Sequence, residues 1–298
     1  SAIGSHLGNN KRLLHDYLLS IDLPVVPTVL AESQSEVIEG LCDLKKLGFD
    51  RAVIRSAVGA SGIGMLKVNL HEPVPVVPEY FYFEGPCLIQ GWLEPGQNYI
   101  TNVASPSVQM FLDDESIQFY DVTEQILTDC SVHQGNASPP SYLDDELRDE
   151  LLRQSDLAAN WLHRKGYRGT ASTDFLVANR SDGSPEVNVC EINARVTGAT
   201  YPSVLARHFV PGGAWLMRNL RLSAALEGEQ LLEMLRSPGD LFQAGFEKGI
   251  LPINFNSADD GKISIVQFLC ICDTPEECED LLDFAKFDLP VLFRPDRD

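Results

Sequence analysis

Residues 173–198 read TDFLVANRSDGSPEVNVCEINARVTG, and this stretch decides how the chain folds around its site. Two apolar segments, predicted as strands, flank the turn at 181–184. Paired as a hairpin, they bring Asp174 to the same end of a sheet as Glu191 and Asn193. Because Glu191 and Asn193 are two residues apart in one strand, their side chains share a face.

This set of hard oxygen ligands is typical of Mg²⁺, for which Mn²⁺ could substitute, and it leaves coordination positions for water and phosphate. Any single Asp or Glu at a strand end is more often a solvated surface charge. The set of Asp174, Glu191 and Asn193 lies between apolar strands and is followed at once by Arg195. We therefore predict a metal site here.

A second motif, AVIRSAVGASGIGMLKV at residues 52–68, places Gly59, Gly62 and Gly64 between two predicted strands. Such a loop can turn backbone N–H groups toward an anion, and Arg55 in the entering strand could reach the same phosphate. The segment after the loop is strand-like and lacks a Gly-Lys-Ser/Thr sequence, which excludes a Rossmann fingerprint and a P-loop. A glycine-rich bend without a ligand is the alternative.

Composition excludes several classes of function. The 298 residues are 44% hydrophobic with a formal net charge of −20, and Lys and Arg are scattered, so neither nucleic acid nor an anionic membrane is an expected partner. No apolar run approaches the ~20 residues that span a bilayer, and no signal peptide is evident, so we expect a cytoplasmic protein. The cysteines are odd in number, 7, and are expected to be reduced.

The spacing of apolar residues along the chain predicts the remaining helices and strands. Helices are predicted over 10–20, 33–47, 144–165 and 275–287, with mostly helical structure from 204 to about 235. Strands are predicted over 52–56, 65–69, 87–93, 99–103, 108–112, 117–122, 171–178, 186–192 and 263–272, with a polar loop over 129–140. The fold class is therefore α/β in the broad sense, with α+β character.

Together the two motifs resemble the ATP-grasp superfamily over roughly residues 10–220. The loop at 56–68 is similar to that of D-alanine:D-alanine ligase, and Asp174-Phe175 followed by EINAR at 191–195 resembles the metal motif of the superfamily. The resemblance implies a small antiparallel lid over a larger central sheet, with ATP held between them.

The resemblance also implies a division of the chain. We expect an N-terminal helical part over 1–51, a lid over 52–91, a central sheet over 92–222 and a helical and α/β element over 223–298. The Rossmann-like domain that precedes Lys11 in related ligases is absent or reduced. Because the chain opens at Ser1 without a methionine, it is expected to be a portion of something longer.

Carried over residue by residue, the resemblance implies the ATP contacts. Lys11 matches a phosphate-binding lysine, and Arg55 stands in place of the usual lid lysine. The other implied contacts are the closing loop of Ser61, Gly62, Ile63 and Gly64, the adenine-reading hinge of Gln90, Gly91, Trp92 and Leu93, and a ribose ligand for which Glu94, Gln97 or Asn98 could serve.

The acceptor side follows the metal motif. Residues 195–220 resemble ligases that join amino acids or peptides, such as the pheganomycin-type peptide ligase. Ser172 stands where D-alanine:D-alanine ligase has an arginine, so Arg195 is the expected contact to the acyl-phosphate. The residues Thr197, Gly198, Ala199 and Thr200 are expected to line the acceptor site.

The implied activity is an ATP-dependent carboxylate–amine ligase with small-molecule amino acid or peptide substrates. The substitutions at Arg55 and Gln90 and the missing N-terminal domain leave open a non-catalytic ATP-binding module of the same fold. Carboxylase or thiol-acceptor chemistry is a third reading. The sequence leaves open whether the chain forms a homodimer.

Overall fold

The computed structural model describes residues 2–59, 63–128, 132–257 and 261–291. The chain divides into two units, the first of Ser1–Tyr120 and Asp144–Val196 and the second of Asp121–Leu143 and Thr197–Asp298. Among the described helices, none combines the length and the apolar character that crossing a membrane requires.

Within the described residues, the helices are α1 Ala2–Gly8, α2 Lys11–Ser20, α3 Gln34–Lys46, α4 Asp145–Arg164, α5 Thr200–Phe209, α6 Gly228–Arg236 and α7 Pro275–Asp288, with a 3₁₀ turn at Glu79–Tyr82. The strands are β1 Thr28–Ala31, β2 Arg51–Arg55, β3 Met65–Asn69, β4 Cys87–Gly91, β5 Ile100–Ala104, β6 Pro106–Leu112, β7 Ile117–Thr128, β8 Val132–Ser138, β9 Gly169–Arg180, β10 Pro185–Asn193, β11 Ala214–Leu226, β12 Gly249–Ser257 and β13 Ile263–Cys272.

The first unit contains a four-stranded antiparallel sheet in the order β1-β4-β2-β3. One face packs on α3, where Val37, Leu44 and Ile54 are fully buried. Alternation along β2 therefore turns Arg55 to the opposite face. The sheet contains the strands expected in the lid at residues 52–91 and also β1, upstream of residue 52; its role as a lid stays a prediction.

The same unit holds the hairpin of β9 and β10. On its other side, β9 pairs with β6 and β5. The long helix α4 packs on these strands, and its Leu151, Ala158 and Leu162 are buried. Because Gln154 Nε2 donates to the Val187 carbonyl over 3.1 Å, α4 also has a polar attachment to β10.

The second unit contains residues 121–128 of β7 and the strands β8, β11, β13 and β12, paired antiparallel in that order. Two clusters of buried side chains cover the two faces of β11. One contains Trp215 and Met217 with Ala206 of α5, and the other contains Leu216 with Leu282 of α7.

Two expectations were wrong here. The predicted helical stretch from 204 to 235 contains the strand β11, and most of the predicted polar loop at 129–140 is the strand β8, with residues 129–131 outside the described residues. Because residues 214–217 of β11 are buried on both faces, the start of the strand lacks a period of two and reads as a helix. In β8 the polar residues Asn136 and Ser138 are buried between neighbouring strands.

A buried carboxylate joins the elements of the second unit. Asp121 has 2% of its side chain exposed, and it accepts hydrogen bonds from Ser138 of β8, Ser203 and Arg207 of α5, and Trp215 of β11. A buried charge that receives four donors is stabilised by them, and each donor depends on it in turn.

We predict that Asp121→Ala destabilises this unit by about 3 kcal/mol, because it leaves the buried donors of Ser138, Ser203 and Trp215 without their acceptor. Urea unfolding followed by tryptophan fluorescence measures the change, since Trp215 lies beside Asp121. Asp280→Ala, which removes an exposed carboxylate from α7, is the matched control and should leave the unfolding midpoint unchanged. Equal midpoints for both variants would contradict the assigned role of Asp121.

Candidate functional site

The hairpin of β9 and β10 brings the predicted metal ligands together. Asp174 lies directly opposite Glu191, and Asn193 lies opposite Ser172. The register shifts between Val189 and Glu191, so that Cys190 is an extra residue in β10. This β-bulge turns Glu191 and Asn193 away from the face of the buried Val189 and toward Asp174.

Asp174 is held by three donors. Ser107 Oγ and Ser172 Oγ lie 2.6 and 3.1 Å from its Oδ1, and Asn193 Nδ2 lies 2.8 Å from its Oδ2. Burial and the facing carboxylate of Glu191 raise the pKa of Asp174 to about 6, although the three hydrogen bonds oppose the shift. The pair therefore carries a repulsion between two carboxylates at directly opposed positions.

Glu191 is neutralised by two cations. Its Oε2 accepts a hydrogen bond from Arg55 Nη2 and lies 3.3 Å from Lys11 Nζ. The exposed fractions of the Lys11 and Arg55 side chains are only 10% and 12%. Burial alone would raise the pKa of Glu191, but the charges of Arg55 and Lys11 lower it to about 2. Burial lowers the pKa of Lys11, against the attraction of Glu191.

Lys11 also connects this cluster to the glycine loop. Its Nζ donates to the carbonyl of Gly59 over 3.0 Å, and its backbone N–H donates to Ala57 over 2.8 Å. Gly64 closes the loop with a φ of +74°, where an added Cβ would lie 2.0 Å from Ser56 Oγ. Only glycine fits this position. The side chain of Ile63 is exposed, and Ser61 and Gly62 lie outside the described residues.

Arg195 is fixed by an N-terminal asparagine. Its Nη1 donates to Asn9 Oδ1 over 2.7 Å, and the same oxygen accepts from Ala194 N over 3.2 Å. The next residue, Asn10, caps α2 by accepting from Leu13 N. The charge of Arg195 also contributes to the lowered pKa of Glu191. The structure thus brings Arg195 into the same electrostatic environment as Lys11 and Arg55.

Gln90 in the expected hinge contacts the cluster directly. Its Oε1 accepts from Arg55 Nη1 over 3.3 Å, and its Nε2 donates to Thr28 Oγ1 over 3.1 Å. Both ends of the amide are therefore engaged, which defines its orientation. A small cavity lined by Lys11, Gln90 and apolar side chains of α2, β4 and β10 lies beside it.

The following hinge residues have structural partners. An added Cβ at Gly91 would lie 2.5 Å from the Phe49 ring, and the N–H groups of Gly91 and Trp92 donate to Pro27 and Arg51. Both of these N–H groups are therefore engaged within the fold. The Trp92 ring lies 4.9 Å below Lys67 Nζ.

Leu93 packs against the core beneath α3. Gln97 Nε2 donates to Asp50 over 3.0 Å and to Glu94, rather than joining the cluster of Lys11, Arg55 and Glu191. The expected roles of the hinge in adenine binding and of Gln97 in ribose binding stay predictions.

The four expected acceptor residues lie at the start of α5 in the second unit. Thr197 N donates to Thr200 Oγ1 over 3.0 Å, and Thr200 N donates to the Thr197 carbonyl over 3.2 Å. Ala199 is buried against the core that contains Trp215. An added Cβ at Gly198 would lie 3.3 Å from His133 Cε1.

A divalent cation fits the donor set of the first unit. Asp174 and Glu191 are opposed carboxylates, and a cation would relieve their repulsion. The side-chain oxygen of Asn193, whose Nδ2 donates to Asp174, would supply a third protein ligand. In the described part of the chain, no group of three or more His, Cys, Asp or Glu could hold a metal. The set therefore relies on this amide and on oxygen atoms of the ligand.

Sequence reasoning missed three residues that position the others. Ser107 comes from β6 and Ser172 from β9, and both hold Asp174. Asn9 holds Arg195 from the turn between α1 and α2. An isolated serine in a strand gives no signal in one sequence. A single asparagine in the turn between two helices gives none either.

We predict that Glu191→Gln lowers the free energy of unfolding of the first unit by about 3–5 kcal/mol in the presence of a chelator, because two buried cations lose their counter-charge. Glu186→Gln is a matched control on the same strand. Its partner Arg180 is 37% exposed, so the loss should be at most about 1 kcal/mol. Urea unfolding of both variants measures the difference, and equal losses would contradict the importance of the Glu191 pairs.

Comparisons with known proteins agree with this architecture. Over 160 residues, 52% of the chain, the sequence is 28% identical to a [butirosin acyl-carrier protein]--L-glutamate ligase from Niallia circulans. The matched region is 35% of that ligase, so the chain spans well under half of its relative's length. No protein-family model matches the chain.

Solved structures that share its fold include two biotin carboxylases. The biotin carboxylase from Campylobacter jejuni, in complex with beta-gamma-ATP, superposes with a TM-score of 0.67 at 14% identity, covering 98% of this chain and 69% of that one. The biotin carboxylase domain of Hydrogenobacter thermophilus 2-oxoglutarate carboxylase, solved with MgADP, ADP and bicarbonate, superposes with a TM-score of 0.65 at 11% identity, covering 96% and 67%. The chain therefore has the ATP-grasp fold that these two structures share.

Proposed function

We propose that this protein is an ATP-dependent carboxylate–amine ligase that forms an amide bond through an acyl-phosphate. The observation that carries the proposal is the convergence of Lys11 and Arg55 on Glu191, directly opposite Asp174. Two buried cations and two carboxylates in contact with a glycine loop match a site for a metal-bound polyphosphate.

The cations bind the phosphate oxygens. Lys11 and Arg55 are held in place by a carboxylate before ATP arrives, so they are preorganised for an anion that replaces it. Asp174, Glu191 and Asn193 would hold Mg²⁺, or Mn²⁺ in its place, and the bound ion would neutralise charge on the phosphates. No protein nucleophile is needed, because phosphoryl transfer depends mainly on positioning and charge neutralisation.

The reaction proceeds in two steps. A carboxylate oxygen attacks the γ-phosphorus of ATP, and the bond between that phosphorus and the bridging oxygen breaks to release ADP. The acceptor nitrogen then attacks the acyl carbon, and the bond from that carbon to the phosphate oxygen breaks to release phosphate. Arg195, oriented by Asn9, is suited to stabilise the negative charge on the acyl-phosphate.

Amino acids or short peptides are the proposed substrates. The support is the similarity to a ligase that acts on L-glutamate, together with the resemblance of residues 195–220 to peptide ligases. In this proposal Thr197, Gly198, Ala199 and Thr200 line the acceptor site. The net charge of −20 disfavours a nucleic-acid partner.

The test is ADP release from ATP and Mg²⁺ with a panel of amino acids and peptides that includes L-glutamate. We expect turnover with at least one pair. Glu191→Gln should reduce it by roughly 10²-fold or more, because charge stabilisation at the phosphates is lost. Glu186→Gln is the control and should retain it. Tight binding of MgATP without turnover of any pair would instead identify a non-catalytic ATP-binding module.

Substitutions of Arg195 and of Arg55 should affect different quantities, kcat in one case and MgATP affinity in the other. Arg195→Gln is expected to lower kcat by roughly 10²- to 10³-fold with little change in ATP affinity, because its charge acts on the intermediate. Arg55→Gln should weaken MgATP binding, which isothermal titration with a non-hydrolysable analogue measures. Loss of ATP affinity in the Arg195 variant alone would reverse these assignments.

A further inference from the structure

A hydrogen-bonded chain of side chains crosses the four-stranded sheet of the first unit and ends at Arg55. Gln90 of β4 lies directly opposite Thr28 of β1 on one side and Val53 of β2 on the other. Because Arg55 is two residues from Val53 in β2, its side chain shares the face of Gln90. Three adjacent strands therefore bring Thr28, Gln90 and Arg55 together.

The direction of each hydrogen bond in this chain is defined by its ends. Thr28 Oγ1 donates its only proton to the Val26 carbonyl over 2.6 Å, so toward Gln90 it acts as an acceptor. Gln90 Nε2 donates to it over 3.1 Å, which places Oε1 toward Arg55. A guanidinium only donates, and Arg55 Nη1 lies 3.3 Å from that oxygen. One orientation of the amide thus satisfies both neighbours.

The amide holds the guanidinium without neutralising it. Arg55 Nη1 also lies 3.3 Å from Cys190 Sγ, and its Nη2 donates to Glu191. Lys11 pairs with Glu191 as well, so the two buried cations share this carboxylate and keep an excess of positive charge. A carboxylate in place of Gln90 would pair with Arg55 and remove that excess. An amide oxygen binds the same donor and carries no charge.

We infer that Gln90 is a positioning residue for the phosphate-binding cation of the proposed ligase, acting through Arg55 and itself oriented by Thr28. This role rests on the proposed function, since it requires that Arg55 binds a polyphosphate. It gives Gln90 a part in phosphate binding that is separate from the expected reading of the adenine edge. The affinity for MgATP then depends on both the orientation of the guanidinium and the charge that it retains.

The test measures the affinity for a non-hydrolysable MgATP analogue by isothermal titration. Gln90→Met keeps the length of the side chain but removes both polar ends, so the guanidinium loses its orientation and the affinity should fall roughly 10-fold. Gln90→Glu keeps the shape and adds a negative charge, so the affinity should fall roughly 10²-fold while the urea unfolding midpoint does not fall. Gln118→Glu, at an exposed glutamine of β7, is the matched control and should leave the affinity unchanged.

A double-mutant cycle tests whether Gln90 acts through Arg55. In the Arg55→Gln background, Gln90→Met should no longer lower the affinity for the analogue, because the group that it positions is absent. An equal loss in both backgrounds would make Gln90 a direct contact of the nucleotide and overturn the inference. So would a wild-type affinity in Gln90→Glu. If the wild-type chain itself binds no MgATP analogue, the proposed function fails and this inference fails with it.

The hydroxyl group of Thr28 provides a second test. Thr28→Val removes the acceptor of Gln90 Nε2, so the amide is free to turn either end toward Arg55, and the affinity for the analogue should fall by roughly 3- to 10-fold. Thr28→Ser keeps the hydroxyl group and should retain an affinity close to that of the wild type. Equal losses in the two Thr28 variants would overturn the assigned direction of the hydrogen-bonded chain.

Discussion

Glu191 forms ion pairs with two buried cations, Lys11 and Arg55, and the local structure of the first unit depends on these pairs. Lys11 comes from α2, Arg55 from β2 and the carboxylate from β10, so the ion pairs join three segments that are far apart in sequence. Removing such charges from water costs several kcal/mol per ion, and the cost is offset only when the geometry is good. These elements must therefore meet with well-defined spacing.

The same arrangement accounts for the chemistry proposed at the site. Cations that are already desolvated and paired need little reorganisation when a phosphate takes the place of their carboxylate partner. Asp174 faces Glu191 and is paired with no cation among the described residues, and burial and repulsion raise its pKa to about 6. A metal ion and a polyphosphate binding together would relieve this imbalance.

Two β-bulges show how a regular sheet presents chemistry. At Cys190 the extra residue moves Glu191 and Asn193 off the face of Val189, and at Gln134 it moves His133 onto the face of Asn136. In a strand without bulges, side chains alternate strictly between the two faces. Without the extra residue, each of these polar side chains would lie on the opposite face of its strand. In each case one additional residue changes the face of the strand on which a polar side chain lies.

The sequence by itself determined the elements whose pattern is local. The strands at Met65–Asn69 and Ile263–Cys272 and the amphipathic helices α3, α4 and α7 agree with prediction to within about a residue, and the spacing of Asp174, Glu191 and Asn193 identified the cluster. Only the tertiary structure decided that β8 and β11 are strands, that Asn9 holds Arg195, and that His133 meets Asn136. The reason is physical: periodicity records which side of an element faces apolar surroundings, whereas burial on both faces, a bulge or a hydrogen bond between distant residues exists only after the chain has packed.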